Sequence, residues 1–448
     1  MTGAATPSLD ARREAALERT RLLLGALLVF AASAPFMMLL GATDDLKAPE
    51  TPMLRLLWLP VYAGALLLCA LSWRRLARAW LPALVCAAMC AWAWRSQAWS
   101  IAPDVTHRRV IALVMTTLLG LALGASLGAR RLAQVLAAVA AVLALGSVVF
   151  AIALPHYGVM LLDGHRDWRG LWIHKNALAF VMAQGAVAAA CAALSPGARR
   201  GPWLAAAVLC LGVLAMSHGT GALVDTVVAL AAAGVLALLR RSALSAVVTT
   251  WATAAVAGGL ALAALFAPAL AFKALGKDPT LTGRTDIWAA VGRRIAEQPL
   301  AGYGYGAFWE RYSIPARLIR KETGWAVPSA HNGWLDLLLQ LGWIGAGLFA
   351  LAAGLALVAL LLRAPRTRDG GFALVYLVLF LMQTLSESVI EEPNTLAWAL
   401  VVAVITCGLA PRAWRVQAPP RPAAVLPPPM WRTAPAAATP GLFAGGRP

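Results

Sequence analysis

Twelve apolar runs leave this chain few ways to fold. They lie near 22–40, 53–72, 79–94, 110–128, 132–154, 176–194, 203–216, 221–239, 243–268, 334–362, 371–390 and 396–410. Most approach the ~20 residues that a helix needs to cross ~30 Å of hydrocarbon. In lipid a segment must satisfy its own backbone hydrogen bonds, so such runs become helices. The chain is 60% hydrophobic and 13% charged, against about 25% charged in soluble proteins. The fold expected is an all-α polytopic membrane protein of about twelve transmembrane helices, with 203–216 the shortest run.

The loops between these runs alternate in character. Arg74/Arg75/Arg78, Arg130/Arg131, Arg199/Arg200, Arg240/Arg241 and Arg363/Arg366/Arg368 occupy every second, short connection, while the first intervening loop is the acidic "GATDDLKAPE". The positive-inside rule makes the basic loops and both termini cytoplasmic. Arg12, Arg13, Arg19 and Arg21 ahead of "LLLGALLVFAASA" resemble a signal peptide. Pro35, directly after the small residues 32–34, disfavours cleavage, so a retained first helix is expected. The organisation read from this pattern is a cytoplasmic segment 1–21, nine helices over 22–268, an outer loop 269–333, three helices over 334–410, and a disordered Pro/Ala-rich tail 411–448 ("APPRPAAVLPPP").

The formal charge of +18 does not indicate nucleic acid. The arginines stand in pairs between apolar runs, with no basic-aromatic stacking surface. The six cysteines all fall inside apolar runs, so neither a disulfide framework nor a metal cluster is expected. All six histidines fall in or beside the non-cytoplasmic loops, and the two longest of these, 155–175 and 269–333, are rich in Arg and Lys. A basic, His-bearing surface on the outer side suits a phosphate or pyrophosphate head group.

Three stretches carry candidate chemistry. "DGHRDWRGLWIHKNALAF" (163–180) packs Arg166, Arg169, His174, Lys175 and Asn176 into a loop entering a helix. One helical turn would put Arg166 and Arg169 on one face; an ordinary interfacial loop anchored by Trp168 and Trp172 is the plainer reading. In "LTGRTDIWAAVGRRIAEQPLAGYGYGAFW" (281–309), Thr285 or Asp286 can cap an amphipathic helix with Ile287, Trp288, Val291 and Ile295 on its apolar face, lying on the outer leaflet. Arg284 stands at that helix's N-terminus, which also favours anions. The run with Tyr303 and Tyr305 is Gly-rich, so its backbone can come close to a ligand. "SAHNGWLDLLLQLGWIG" (329–345) sets His331 and Asn332 at the outer end of a helix, where the dipole disfavours imidazolium and leaves a neutral base. A plain helix cap explains the same pair. Glu387, an acid near the outer end of a span, is a further candidate.

"RGLWIHKNALA", "LTGRTDIW", "PLAGYGYGAFW" and "SAHNGWLDLLLQLGWIG" stand in this order, with a late Glu387–Ser388. Together they resemble the O-antigen ligase and polymerase superfamily of bacterial envelope enzymes, closest in wording to its exopolysaccharide-polymerase branch. "SHGTG" departs from the family's usual arginine-containing turn, so no role passes to His218.

The resemblance implies a GT-C-like, metal-independent, inverting glycosyltransferase of the inner membrane, without cofactor and with its site facing the periplasm. Its donor would be a glycan on undecaprenyl pyrophosphate, and its acceptor a lipid-linked repeat unit or lipid A core. Partners in the envelope export machinery are also implied. Arg169 and Arg284 would hold the pyrophosphate, and His331 would orient or deprotonate the acceptor hydroxyl. Arg166, His174, Lys175, Asn176, Tyr303, Tyr305, Asn332 and Glu387 would line the substrate site. About twelve spans also suit a polysaccharide transporter or flippase, but transporters place polar sites near the midplane, whereas charges here gather at loops and helix ends.

Overall fold

The computed structural model describes residues 8–41, 56–162, 164–266, 284–324, 326–363 and 371–410. The expected disordered tail, most of the first outer loop and residues 269–283 of the long loop lie outside these.

The apolar runs are helices: α1 Leu9–Ala32, α2 Trp58–Leu71, α3 Trp73–Arg78, α4 Trp80–Arg95, α5 Pro103–Ala153, α6 Lys175–Ala193, α7 Arg200–Met216, α8 Thr220–Leu239 and α9 Ala243–Phe266. Two helices, α10 Arg284–Glu297 and α11 Ile314–Thr323, precede α12 Gly333–Arg363, α13 Gly371–Gln383 and α14 Leu396–Leu409. Among the described residues α5, α6, α8 and α12 are long and apolar enough to cross a membrane. The runs 110–128 and 132–154 meet within α5 at Gly128, whose backbone leaves the helical region (φ 67°, ψ 169°).

The centre of the bundle is α14. Val401, Val402, Ala403, Val404 and Ile405 are all fully buried, as expected of a helix apolar on every side. It packs on α5 through Gly120 and Gly124, where a Cβ would stand 2.5 Å from the carbonyls of Ala399 and Ala403 respectively. Small residues four apart let the two backbones touch. Glu18 on α1 pairs with Arg21 of the same helix at 2.6 Å and ties that helix to its neighbours through Arg75 of α3 and Arg131 of α5.

Residues 164–169 are not a helical turn. Val159–Leu162 and His165–Trp168 form an antiparallel hairpin, β1 and β2, turning at Gly164 with φ +80°. Arg166 and Arg169 therefore do not share a helix face: Arg166 pairs with Leu161 on the strand, and Arg169 follows β2.

The expected span 334–362 is two helical pieces, divided at Gly342 (φ 64°, ψ −166°). The break frees backbone groups that the 299–306 loop takes up. Trp343 N donates to Pro299 O at 2.8 Å, while Leu339 O and Gln340 O accept from Tyr303 N and Gly304 N at 2.8 and 3.0 Å. Trp92 Nε1 donates to Leu341 O at 3.1 Å. Every group exposed by a buried helix break needs such a partner.

The helix α10 starts at Arg284, so Thr285 and Asp286 sit in its first turn and do not cap it. Its apolar face is covered by protein rather than lipid: Ile287, Ala290 and Val291 pack with Phe308, Ala316, Ile319 and Leu339. The covering helix, α11, is closed by Ser313 at its start, accepting from Ala316 N at 3.3 Å, and by Gly324 (φ 75°) at its end, as caps require.

Candidate active site

The turn before α12 fixes His331. Asn332 Oδ1 accepts from Trp334 N at 3.0 Å and Leu335 N at 3.1 Å, capping the helix. Its amide also reaches Leu385 O at 3.3 Å, and Gly333 N donates to Thr384 O at 2.8 Å. The helix start is thus sewn to the segment after α13. His331 itself has a left-handed backbone, φ +48°, unusual for a residue with a side chain.

That segment brings Glu387 between two residues far away in sequence. Glu387 Oε2 lies 3.6 Å from His331 Nδ1, and Oε1 lies 3.8 Å from Arg284 Nη2. These are ion-pair separations, too long for good hydrogen bonds. Arg284 is held by Nη1 on Ser386 O at 2.9 Å. The side chains of His331, Arg284 and Glu387 are 22%, 28% and 19% exposed, so all three can meet a ligand.

Beneath them lies Asp336, buried and absent from the candidates read in the sequence. Its carboxylate accepts from Ala330 N at 3.1 and 3.2 Å, from Trp309 Nε1 at 2.5 Å, and from Ser388 Oγ. One side chain thus joins the 305–309 loop, the His331 turn and the Glu387 segment. Its place one turn after the Asn332 cap was the only sign in the sequence. Replacing Asp336 with alanine strands at least two buried donors, each worth about 1–3 kcal/mol. The variant should melt several degrees lower in detergent, with turnover reduced further than stability alone explains.

A second cluster sits on the hairpin. Asp167, 1% exposed, accepts from Lys175 Nζ at 2.5 Å and faces His218 Nδ1 at 2.6 Å. Burial opposes its charged form, but the hydrogen bonds from Lys175 and His218 outweigh burial and hold the carboxyl below its ordinary range. His174 caps α6, its Nδ1 accepting from Asn176 N at 3.1 Å. Arg169 donates from Nε to Tyr157 O at 2.8 Å and from Nη2 to His156 O at 2.9 Å, so it braces the hairpin. Arg166 is exposed on the strand.

Tyr303 and Tyr305 are buried, 8% and 2% exposed. The Tyr303 hydroxyl lies 2.9 Å from Arg294 O and 2.8 Å from Glu297 Oε2, and that of Tyr305 bonds Glu391 O. The glycines around them admit close approach by protein. A Cβ at Gly304 (φ +101°) would stand 2.4 Å from Ser100 Oγ, and one at Gly306 (φ +68°) 2.3 Å from Arg109 Cδ. Burial pushes the neighbouring Glu391 carboxyl up to about 8, so at pH 7 it adds little negative charge.

Of the residues expected to act, the fold therefore brings Arg284, His331, Asn332 and Glu387 to one place. It gathers Arg166, Arg169, His174, Lys175 and Asn176 at the hairpin, and sets both tyrosines into the packing. The two clusters are linked at α8, where Gly221 abuts the Ser386 hydroxyl, 3.8 Å from where a Cβ would stand.

A family model described as O-antigen ligase matches residues 205–350. The match takes in His218, Arg284 and His331 and stops before Glu387. The resemblance to the O-antigen ligase and polymerase superfamily is thereby borne out. The chain is also 27% identical over 262 residues to the exopolysaccharide production protein ExoQ of Rhizobium meliloti (strain 1021). That alignment takes in 55% of this chain and 58% of the relative, so the chain spans little more than half the length of the protein it matches. The exopolysaccharide branch is the side of the superfamily this relative supports.

Proposed function

We propose that the chain is an inner-membrane glycosyltransferase that moves a glycan from undecaprenyl pyrophosphate to a sugar hydroxyl at the periplasmic face. The reading rests on one observation, the partly exposed meeting of His331, Glu387 and Arg284. It carries with it a topology of about twelve spans, with both termini cytoplasmic. His331 takes the acceptor's hydroxyl proton as the acceptor oxygen bonds the anomeric carbon from the face opposite the phosphate, so configuration inverts. The electron pair of the broken C–O bond stays on the phosphate, where Arg284 stabilises it. Arg169 spends Nε and Nη2 on carbonyls and offers Nη1 to the second phosphate. Glu387 sets the spacing of base and cation, and no metal ion takes part.

The test is transfer by the purified chain with lipid-linked repeat units, offering either a second repeat unit or lipid A core as acceptor. Elongation marks a polymerase and capture by the core a ligase. Arg284→Ala should lower turnover by about 100-fold or more, the range for removing one transition-state donor, while lipid-linked units accumulate outside in cells. Accumulation in the cytoplasmic leaflet would instead identify a flippase.

A further inference from the structure

The helix α11 has apolar residues on two sides, and the protein covers one of them. Ala316 and Ile319 are buried in the cluster that includes Ile287 and Val291 of α10. Arg320 is also held within the fold, donating from Nε to Val327 O and from Nη2 to Trp309 O, both at 3.0 Å. Ile314, Arg317, Leu318 and Lys321 stand at i, i+3, i+4 and i+7, a single stripe of a helix. All four are exposed, Ile314 at 64% and Leu318 at 40%. Just before the helix Tyr312 is 74% exposed, with the Arg311 guanidinium 5.8 Å from its ring centre.

A stripe that interleaves large aliphatic side chains with cations is matched to the headgroup boundary of a bilayer. Ile and Leu there enter the acyl edge, while the Arg and Lys stems lie along it and carry their charges back to the phosphates. An exposed tyrosine prefers the same level. The sign of the charge is equally defined. The single carboxylate of α11, Glu322, accepts from Arg293 Nη2 at 2.5 Å and lies 3.6 Å from Arg294 Nη2, whereas Arg311, Arg317 and Lys321 are all exposed.

The fold also sets the height of this stripe. Glu322 ties the end of α11 to the last turns of α10, and α10 runs on into Pro299 and Leu300. The carbonyls of those two residues accept from Trp343 N at 2.8 Å and Ile344 N at 3.3 Å. Trp343 and Ile344 are the first exposed side chains of α12, a helix long and apolar enough to cross a membrane, and Leu300 is exposed beside them. The end of α11 is thus held near the level at which α12 meets lipid.

We propose that α11 is a surface anchor: Tyr312, Ile314 and Leu318 enter the headgroup boundary of the leaflet on the His331 side, and Arg311, Arg317 and Lys321 bind the phosphates of anionic phospholipid there. The helix α10, whose amphipathic sequence suggests that role, is instead the support on which α11 is carried. Because α10 begins at Arg284, the contact also fixes the height of that guanidinium above the lipid. No glycan takes part, so the anchor stands or falls independently of the transferase reading.

The experiment is photo-crosslinking of the full chain in nanodiscs of phosphatidylcholine, with or without an equal share of phosphatidylglycerol. A benzophenone side chain is placed in turn at positions 314 and 318 and, as a lipid-facing reference, at Val358 of α12, which is exposed; adducts are identified by mass. Positions 314 and 318 should give phospholipid adducts. In mixed discs they should favour phosphatidylglycerol over the ratio at 358 by up to about fivefold for each cation at the surface. Arg317→Gln with Lys321→Gln should return that ratio to the value at 358, as should ~1 M salt, which screens charge beyond ~3 Å.

The proposal is overturned if 314 and 318 give no lipid adduct while 358 does, which leaves α11 in water. Adducts with the disc's scaffold protein or with a second copy of the chain overturn it in favour of a protein-docking face. Lipid adducts without a preference for phosphatidylglycerol overturn it as well. If the label at one position prevents the chain from melting like wild type, the other position decides.

Discussion

His331→Asn should lose about 100- to 10,000-fold in turnover, the contribution of a positioned acid or base, while melting within a few degrees of wild type. Asparagine is the replacement of choice because position 331 has φ +48°, and Asn tolerates left-handed backbone better than most residues. The Asn332 cap and the Gly333–Thr384 hydrogen bond do not use the imidazole and stay in place. His331→Ala should lose as much activity with a lower melting temperature, since alanine is less at home in that backbone. Turnover of His331→Asn within tenfold of wild type would remove His331 from the chemistry. The comparison of the two variants separates the ring's chemistry from the strain of its turn.

Gly342→Ala carries the largest expected cost in stability. At φ 64° and ψ −166° the residue occupies backbone space that is essentially glycine's alone, worth about 1–3 kcal/mol of strain for any other residue. Its Cβ would also stand 2.3 Å from the carbonyl carbon and oxygen of Leu300 and 2.5 Å from Ala301 N. These are backbone atoms of the loop docked on the break, so no side chain can swing aside. The loop must detach, and with it go the bonds of Tyr303 and Gly304 to Leu339 and Gln340. The variant should melt at least about 5 °C lower, a shift that ~2–3 kcal/mol produces even in a large domain, with turnover lost in parallel. Gly347→Ala, in the same helix with nothing within 4 Å of its Cβ, should melt as wild type or slightly higher.

The helices were legible because membrane crossing writes its requirement into composition: a run must be long and apolar. The Asn332 cap was legible too, since caps are local. What depends on burial or on long sequence separation was not. Asp167 lies in "GHRDW" beside two basic residues, and nothing local distinguishes a buried carboxylate from a solvated one. Arg166 and Arg169 suit a helical spacing, but Gly164 turns the chain and the segment pairs as strands. The glycines at 304 and 306 signal close approach correctly, without saying that Ser100 and Arg109 are what approach. Glu387 meets Arg284 across 103 residues, a proximity that no local pattern can carry.

The segment between α13 and α14 supplies almost every tie around His331: Thr384, Leu385, Ser386, Glu387 and Ser388 bond or face Gly333, Asn332, Arg284, His331 and Asp336 in turn. It lies beyond residue 350, where the family match ends. The contacts that frame His331 therefore extend past the block that the family model matches. Relatives that keep the block but diverge in the later strap would inherit the histidine without the frame that aims it. Differences in acceptor choice across such relatives should be sought in that strap before they are sought beside the histidine.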